Sequence, residues 1–436
     1  MRALLFGTTG VEKAAAAEQL RRYARTQDSR WELRYWDFEH EFIQPTLGRG
    51  RLAEHFDQND RAAQRSRWLT AWRELLRRAD EEGPEVNLLV GMHASLIRPI
   101  YGVTSTLDLR VIGEFGATHI VTLMDDIYSV YRRTSSRAGL QRHVGVPSLT
   151  NLLEGRRTEL LLADLVADHS PRTPTNWLVA ARHPARLLYR LLVTPPSRLK
   201  AIYLSFPISE PRRMARGVMR GPSGPVAIVP TQEAIDEVNS FLSTVTRIER
   251  EEPLAAVFCP LTIDELPFTS LENFYKGPHA LVSDREAGVD APTYVAFDPP
   301  SERWRVEDFY GEDLLLASDR DGPEVEVPEF DMKEARGQIQ SDVGRRDYRL
   351  VKQADSLVVF NPVMNGRMPR GVHNEIVYAS RLHKPVQVFQ DRNYDPLDIT
   401  RAAYEPTPGQ MGAAPDTDWV VLHATPESAF RAAVNL

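Results

Sequence analysis

A glutamate, Glu375, stands four residues after Gly371 in the stretch GVHNEIVYAS, and two aspartates, Asp347 and Asp355, precede it on the other side of a short apolar run. That run, Ser356 to Phe360, is β-branched and breaks at Asn361-Pro362, the pattern of a buried parallel strand. Ile376, Val377, Ala379 and Leu382 then suit a helix packed on a sheet, with Asn374-Glu375 opening it. A carboxylate at a helix N-terminus, just past a strand's carboxyl end, lies where open α/β sheets place their ligands. Asp355 abuts the strand, and Asp347, eight residues earlier on the helix that feeds it, is expected to reach the same crevice. Carboxylates in different environments suit cleavage of a sugar–base bond, which passes through an oxocarbenium-like centre. One carboxylate stabilises that charge or forms a covalent intermediate, while an acid protonates the leaving base. Acids at helix starts also serve as plain caps, so each residue taken singly leaves both roles open.

In their order these residues resemble the nucleoside 2-deoxyribosyltransferase family and its relatives, the deoxynucleoside monophosphate N-glycosidases. Those proteins carry an Asp on a helix, an Ala-Asp before an apolar strand, then Gly-Val-x-x-Glu followed by a small residue and Lys-Pro. This chain has Asp347, Ala354-Asp355, Gly371-Val372-His373-Asn374-Glu375, Ala379 and Lys384-Pro385. The family opens on Ile-Tyr-Leu-(small)-x-Pro, matched by Ile202-Tyr203-Leu204-Ser205-Phe206-Pro207. The resemblance covers residues 198 to 436. It implies that Glu375 is the nucleophile at the anomeric carbon, with Tyr203 and Asp347 positioning it and the sugar, and Asp355 beside them as a further catalytic candidate. Ser205, Ser209, Gly371, Asn374 and Asp264 are the substrate-binding candidates, Asp264 at a strand end expected on the same edge as Glu375. No cofactor is required for cleavage of this kind. The monophosphate-specific relatives hold a phosphate with a Ser two residues before the Gly and an Arg after the first strand; Pro369 and Ser209 stand there here. Arg212, Arg213, Arg367 and Arg370 are the other sources of positive charge.

The first half offers a second chemistry. Ala3 to Phe6 reads as a short buried strand, Gly7 and Gly10 allow a tight turn, and Lys13 opens an Ala-rich helix to near Ala24. A phosphate loop has this layout: backbone N–H groups and a helix N-terminus face the anion, and a Lys reaches out to it. Glu12 and Ala14 replace the usual Gly before the Lys and hydroxyl after it, which brings a negative charge close and removes a magnesium ligand. Asp125 and Asp126 end the run His119 to Leu123, where such proteins place a magnesium-holding carboxylate. Over residues 1 to 195 the chain resembles nucleotide kinases of the adenylate-kinase type, with Arg132, Arg133, Arg156 and Arg157 standing in for phosphate-clamping arginines and His93 by a substrate base. The resemblance implies ATP with magnesium at a degenerate loop, in a module weak or inactive as a kinase.

These residues need a frame to hold them. Further strands are expected at Glu32 to Trp36, Val86 to Val90 and Asn176 to Ala180, alternating with helices, one of them from Leu52 to about Ala79 with Trp68 and Trp72 on its core face. Later strands are expected at Leu254 to Phe258, Val386 to Phe389 and Trp419 to His423, and a helix from Gln232 to Arg250; residues 270 to 340 resist assignment. Strands alternating with helices make an α/β protein with doubly wound, mainly parallel sheets. The VTPPSRL stretch is the clear linker, and a boundary at 197 gives a P-loop nucleotide-kinase-like domain, 1–197, and a flavodoxin- or Rossmann-like deoxyribosyltransferase-like domain, 198–436.

Charge narrows the partners. The 53 basic and 60 acidic residues leave a net charge of −7, which argues against a nucleic-acid surface. No apolar run approaches ~20 residues and the N-terminus lacks a signal pattern, so no membrane partner is expected. The single Cys259 excludes an intrachain disulfide, and its neighbours Val257, Phe258 and Pro260 suggest burial in a reducing cytoplasm. The eleven His residues have no metal-ligand spacing. The expected ligand is a small-molecule nucleoside or nucleotide, and the oligomeric relatives imply a homo-oligomer. The expected activity is hydrolysis or sugar transfer at an N-glycosidic bond through Glu375, in nucleotide salvage, modification or depletion. The alternatives are a nucleotide kinase, a nucleotide-sensing or phage-defence module, and an NAD glycohydrolase.

Overall fold

Short apolar runs bury both of their faces only inside a sheet that helices cover, and the main strands of this chain follow that rule. The chain is seen in a computed structural model. It describes residues 1–28, 30–48, 52, 60–83, 85–98, 102–140, 148–221, 224–269, 274–276, 294–297, 306–311, 314–316, 326–364, 368–391 and 419–436. Two compact units emerge: Met1–Leu192 with Ile263–Asp298 and Glu312–Gln340, and Val193–Thr262 with Pro299–Gly311 and Ser341–Leu436.

The first unit is built on strands β1 (Arg2–Phe6), β2 (Leu33–Asp37), β3 (Asn87–Met92), β4 (His119–Met124) and β5 (Thr175–Ala180). They form a parallel sheet in the order β2-β3-β1-β4-β5. Helix α1 (Lys13–Gln27) follows β1, α2 (Arg61–Glu81) precedes β3, and α3 (Ile127–Leu140) and α4 (Leu149–His169) lie between β4 and β5 in sequence. The α2 helix starts later than expected, capped by the Asp60 carboxylate, which accepts from Ala63 N at 3.0 Å. Trp68 and Trp72 of α2 are stacked core residues, ring centroids 5.2 Å apart.

The second unit has β6 (Lys200–Ser205), β7 (Ala255–Phe258), β8 (Ser356–Phe360), β9 (Val386–Phe389) and β10 (Val420–His423). This sheet is also parallel, ordered β7-β6-β8-β9-β10. Its helices are α5 (Glu233–Glu251), the later part of α6 (Glu329–Gln353), α7 (Arg370–Arg381) and α8 (Pro426–Val434). Numbered from β6, the order is that of flavodoxin-like sheets, whose strand order reverses between the first and third strands. Here those are β6 and β8, and ligand crevices open at the carboxyl ends of such a pair. The chain is therefore α/β with mainly parallel sheets.

The second unit is not the continuous stretch expected from residue 198. It begins at Val193, ahead of the Pro195-Pro196 pair, and two later segments return to the first unit. Buried polar pairs explain the return. Glu265 accepts from Arg156 Nη1 at 2.5 Å and from Ile127 N at 2.8 Å, while Asp331 accepts from Leu149 N at 2.8 Å. Leu315 and Leu316 donate their N–H groups to His183 and Ala181 carbonyls. Most of the stretch 270–325 lies outside the described residues, as does Arg367.

Candidate active site

Alternate residues of a strand share a face, so Tyr203 and Ser205 of β6 point the same way. In the neighbouring β8, Leu357 is in register with Tyr203 and Val359 with Ser205. Both hydroxyls meet the carboxylate of Glu375: Tyr203 Oη donates to Oε1 at 2.9 Å and Ser205 Oγ donates to Oε2 at 2.5 Å. The glutamate is not at a helix N-terminus, as its sequence context suggests. Helix α7 already begins at Arg370, after Pro369, and continues through Gly371. Glu375 sits in the second turn, beyond the reach of the terminal dipole. What orients its carboxylate is the pair of strand hydroxyls.

The electrostatics follow from burial. Glu375 is 8% exposed. Burial, then the negative charge of Asp347, push its carboxyl up to about 8, against the hydrogen bonds from Ser205 and Tyr203 and the charge of Arg346. Tyr203, fully buried, is held well above the ordinary phenol value by burial and by the charges of Asp347 and Glu375. Asp347, on α6, accepts a hydrogen bond on Oδ1 from Arg346 Nε at 2.9 Å, and Arg346 Nη2 forms an ion pair with the same oxygen at 2.8 Å. Tyr348, next on α6, packs against Tyr378 of α7 with ring centroids 4.8 Å apart. Burial and the Glu375 charge raise Tyr348 as well. The cluster therefore pairs a carboxyl lifted by burial to about 8 with a carboxylate in contact with a guanidinium, two carboxyls in different surroundings, as acid–base and nucleophilic chemistry at a sugar needs.

Other expected members stand elsewhere. Asp355 is exposed and lies at the entry end of β8, where its Oδ2 accepts from Ala201 N at 2.8 Å and its own N–H donates to Ala201 O at 2.6 Å. Ala201 is at the start of β6 and Ser205 at its end, so Asp355 pins the strand edge opposite the crevice. Lys384, the lysine of the Lys-Pro motif, donates to Lys352 O at 2.9 Å and to Ala354 O, closing the end of α6. Asp264 belongs to the first unit, not to the one holding Glu375. Its place follows from the neighbouring Glu265, buried against Arg156. Ser209 begins a short helix, Ser209–Ala215, and is half-buried. Gly371 is exposed on α7 with open space where a Cβ would sit, so no close approach requires a glycine there. Asn374, beside Glu375, is half-buried. Cys259 is fully buried, and burial pushes its thiol up to about 12, which removes it as a nucleophile.

In the first unit the loop after β1 is folded on itself. Gly10 has φ +88° and a Cβ there would meet Thr134 Cγ2 at 2.9 Å, so glycine is required. The N–H groups of Val11 and Lys13, which an open phosphate loop aims outward, donate to Thr8 O and Val11 O. Lys13 is 6% exposed. Its Nζ donates to Gly7 O at 2.8 Å and lies 3.0 Å from His93 Nε2. Burial lowers the Lys13 amine, and Glu39, whose carboxyl lies 3.4 Å from His93 Nδ1, partly offsets this. Gly7 N, Ala94 N, Ser95 N and Ser95 Oγ all donate to the buried Glu159 carboxylate. Asp125 is ion-paired with Arg133 and with Arg182, and Asp126 accepts from Arg182 Nη2 at 2.5 Å and from Ser129. Arg156 is committed to Glu265, and Arg157 to Gln338. Space bounded by Thr8, Asp125, Arg156 and Glu159 amounts to about 10 Å³, room for about one water. Among the described residues no group of three His, Cys, Asp or Glu is placed to hold a metal. In this arrangement Lys13, Asp125 and Asp126 are all engaged by other groups of the protein.

Two members of the Glu375 cluster, Arg346 and Tyr348, carry no sequence signal beyond adjacency to Asp347. An arginine next to an aspartate is usually solvated, and only its burial distinguishes this one.

No protein-family profile matches the chain, and neither does any curated sequence. Among solved structures, a shikimate kinase from Acinetobacter baumannii in complex with shikimate is similar over 42% of this chain and 85% of its own, at 17% identity and a TM-score of 0.28. An unliganded sugar kinase from a Janibacter species is similar over 43% of this chain and 89% of its own, at 16% identity and a TM-score of 0.23. None of these comparisons supports the deoxyribosyltransferase resemblance of the second half.

Proposed function

We propose that the second unit breaks the N-glycosidic bond of a nucleoside or nucleotide, by hydrolysis or sugar transfer, with Glu375 as the group that meets the anomeric carbon. The observation that carries this reading is the buried Glu375 carboxylate held on both oxygens by Tyr203 and Ser205, next to the charged Asp347. In its ionised form a Glu375 oxygen bonds to the anomeric carbon as the carbon–nitrogen bond breaks; the bonding electrons leave with the base, which takes up one proton. Water then resolves the glycosyl ester to the free sugar, or a second base accepts the sugar. Tyr203 and Ser205 aim the carboxylate, and Asp347 supplies negative charge to a centre turning positive. Tyr348 and Tyr378 offer aromatic faces to a planar base.

The test is incubation with nucleosides, mono- and triphosphates and NAD, with free base or nicotinamide measured by chromatography, for the wild type and Glu375→Gln. Free base from the wild type alone supports the reading. No release from any substrate, or equal release from Glu375→Gln, removes it.

A second reading concerns the first unit: a kinase-like nucleotide-binding module that does not transfer phosphate. It is favoured by the β2-β3-β1-β4-β5 order with a glycine loop and lysine after β1, set against acids already paired with arginines. Nucleotides should then raise the melting temperature without any phosphoryl product, and Lys13→Ala should abolish the rise.

A further inference from the structure

We propose that Arg346 is a positioning residue of the Glu375 site: its guanidinium fixes Asp347 as the standing anion of a two-carboxylate pair, leaving Glu375 as the member through which a proton enters and leaves. This rests on the function proposed above and adds a residue to it. The geometry carries the inference. Arg346 is 6% exposed, and it places two donors on one Asp347 oxygen, at 2.9 Å and 2.8 Å. A guanidinium does not lose its charge in a protein, so burying one is costly unless an anion answers it. Asp347 is an anion placed to answer it.

Among the described residues no cation is hydrogen-bonded to Glu375. Its two oxygens face hydroxyls, which serve a carboxylate as donors and a carboxylic acid as acceptors. Like charges close together cannot both be held cheaply, so one member of such a pair keeps the proton. The fixed ion pair decides which. The groups facing Glu375 are Tyr203 and Ser205 from β6 and Arg346, Asp347 and Tyr348 from α6, while Arg370 and Arg381 of its own helix act on Tyr348. Among these described groups Arg346 is the buried cation, and it lies on Asp347. Burial and the Asp347 charge lifting Glu375 to about 8 agree with Glu375 as the member that keeps the proton.

The experiment follows carboxyl carbons by NMR across pH 5 to 9 in the full-length wild type, Arg346→Lys, Arg346→Met and Asp347→Asn, with base release measured in parallel. In the wild type Glu375, and not Asp347, should titrate in that range. In Arg346→Met, Asp347 should titrate with it as the pair comes to share one proton, and base release should fall roughly 10- to 100-fold. Arg346→Lys, which keeps the charge, should restore a silent Asp347. Should Arg346→Met not fold, Asp347→Asn decides: removing the standing anion should bring the Glu375 midpoint down from about 8. The inference is overturned if Asp347 titrates with Glu375 in the wild type, if it stays silent in a folded Arg346→Met, or if Asp347→Asn leaves the Glu375 midpoint unmoved. Absence of base release from the wild type would instead strike the proposed function, and the titrations would still decide the role of Arg346.

Discussion

The Ser205 hydroxyl lies 2.5 Å from Oε2 of Glu375, although 170 residues separate them in the chain. Strand β6 and helix α7 meet at the switch point of the second sheet, and this bond together with Tyr203 fixes the carboxylate there. Such bonds favour the ionised form, so removing them has a definite direction. Ser205→Ala and Tyr203→Phe should each move Glu375 further up and lower base release at pH 7 by roughly 10-fold, since a smaller share of it is ionised. A profile of rate against pH checks this: the rising limb should shift to higher pH in both variants, with the alkaline plateau less affected. A limb that stays in place would detach these hydroxyls from the chemistry.

Base release by the wild type should rise with pH, with a midpoint near the value of about 8 at which Glu375 titrates. At pH 7 about one tenth of the molecules then carry the reactive carboxylate. A rate that falls through this range would mean that Glu375 acts as an acid.

Stability has the opposite slope. The folded protein binds this proton more tightly than the unfolded chain, whose carboxyl has the ordinary value of 4.5. The contribution is therefore complete below about 4.5 and is lost as pH rises through about 8. Glu375→Gln removes the dependence, so it should gain on the wild type between pH 5 and pH 9, by roughly 2–4 °C in melting temperature for each kcal/mol. Thermal unfolding of both proteins at the two pH values is the measurement, and parallel curves would refute the shift.

The folded-in loop of the first unit makes a prediction about the scaffold. Glu159 answers three buried backbone N–H groups and a serine hydroxyl. Glu159→Ala strands those donors and should cost at least about 3 kcal/mol. Glu159→Gln retains one acceptor oxygen and should cost less. Urea unfolding followed by tryptophan fluorescence, with Trp68 and Trp72 in the core of that unit, reads the difference.

Strands were legible where burial alone dictates sequence. Ser356–Phe360 and Val386–Phe389 form at the residues that their apolar runs mark, because a central parallel strand has no solvent face to interrupt the pattern. Helix α7 begins at Arg370, ahead of the Asn374-Glu375 opening that the apolar spacing suggests; in an exposed first turn a glycine such as Gly371 costs only about 1 kcal/mol, which packing of the helix's apolar face readily offsets. Polar partners were not legible. Whether Lys13 reaches outward or back to Gly7 O and His93, and whether Asp125 faces magnesium or Arg133 and Arg182, depends on residues that folding brings in from elsewhere. The same holds for Glu265, whose pairing with Arg156 draws its segment, with Asp264, into the first unit.

Asp347 and Asp355 give the sharpest separation of site from scaffold, because the two read alike in sequence and stand in different surroundings. Asp347 is paired with Arg346 and charges the Glu375 pocket, while Asp355 binds the backbone of Ala201 at the entry edge of the sheet. Asp347→Asn should therefore depress base release by roughly 100-fold, the usual scale for a charged group acting on a transition state. Asp355→Asn keeps an oxygen able to accept from Ala201 N, so it should cost at most about 1 kcal/mol of stability and leave base release within roughly 2-fold of the wild type. Paired rate and unfolding measurements on the two variants decide it. Equal loss of activity from both would place Asp355 in the chemistry after all, and undiminished activity in Asp347→Asn would reduce the Arg346 pair to a structural contact.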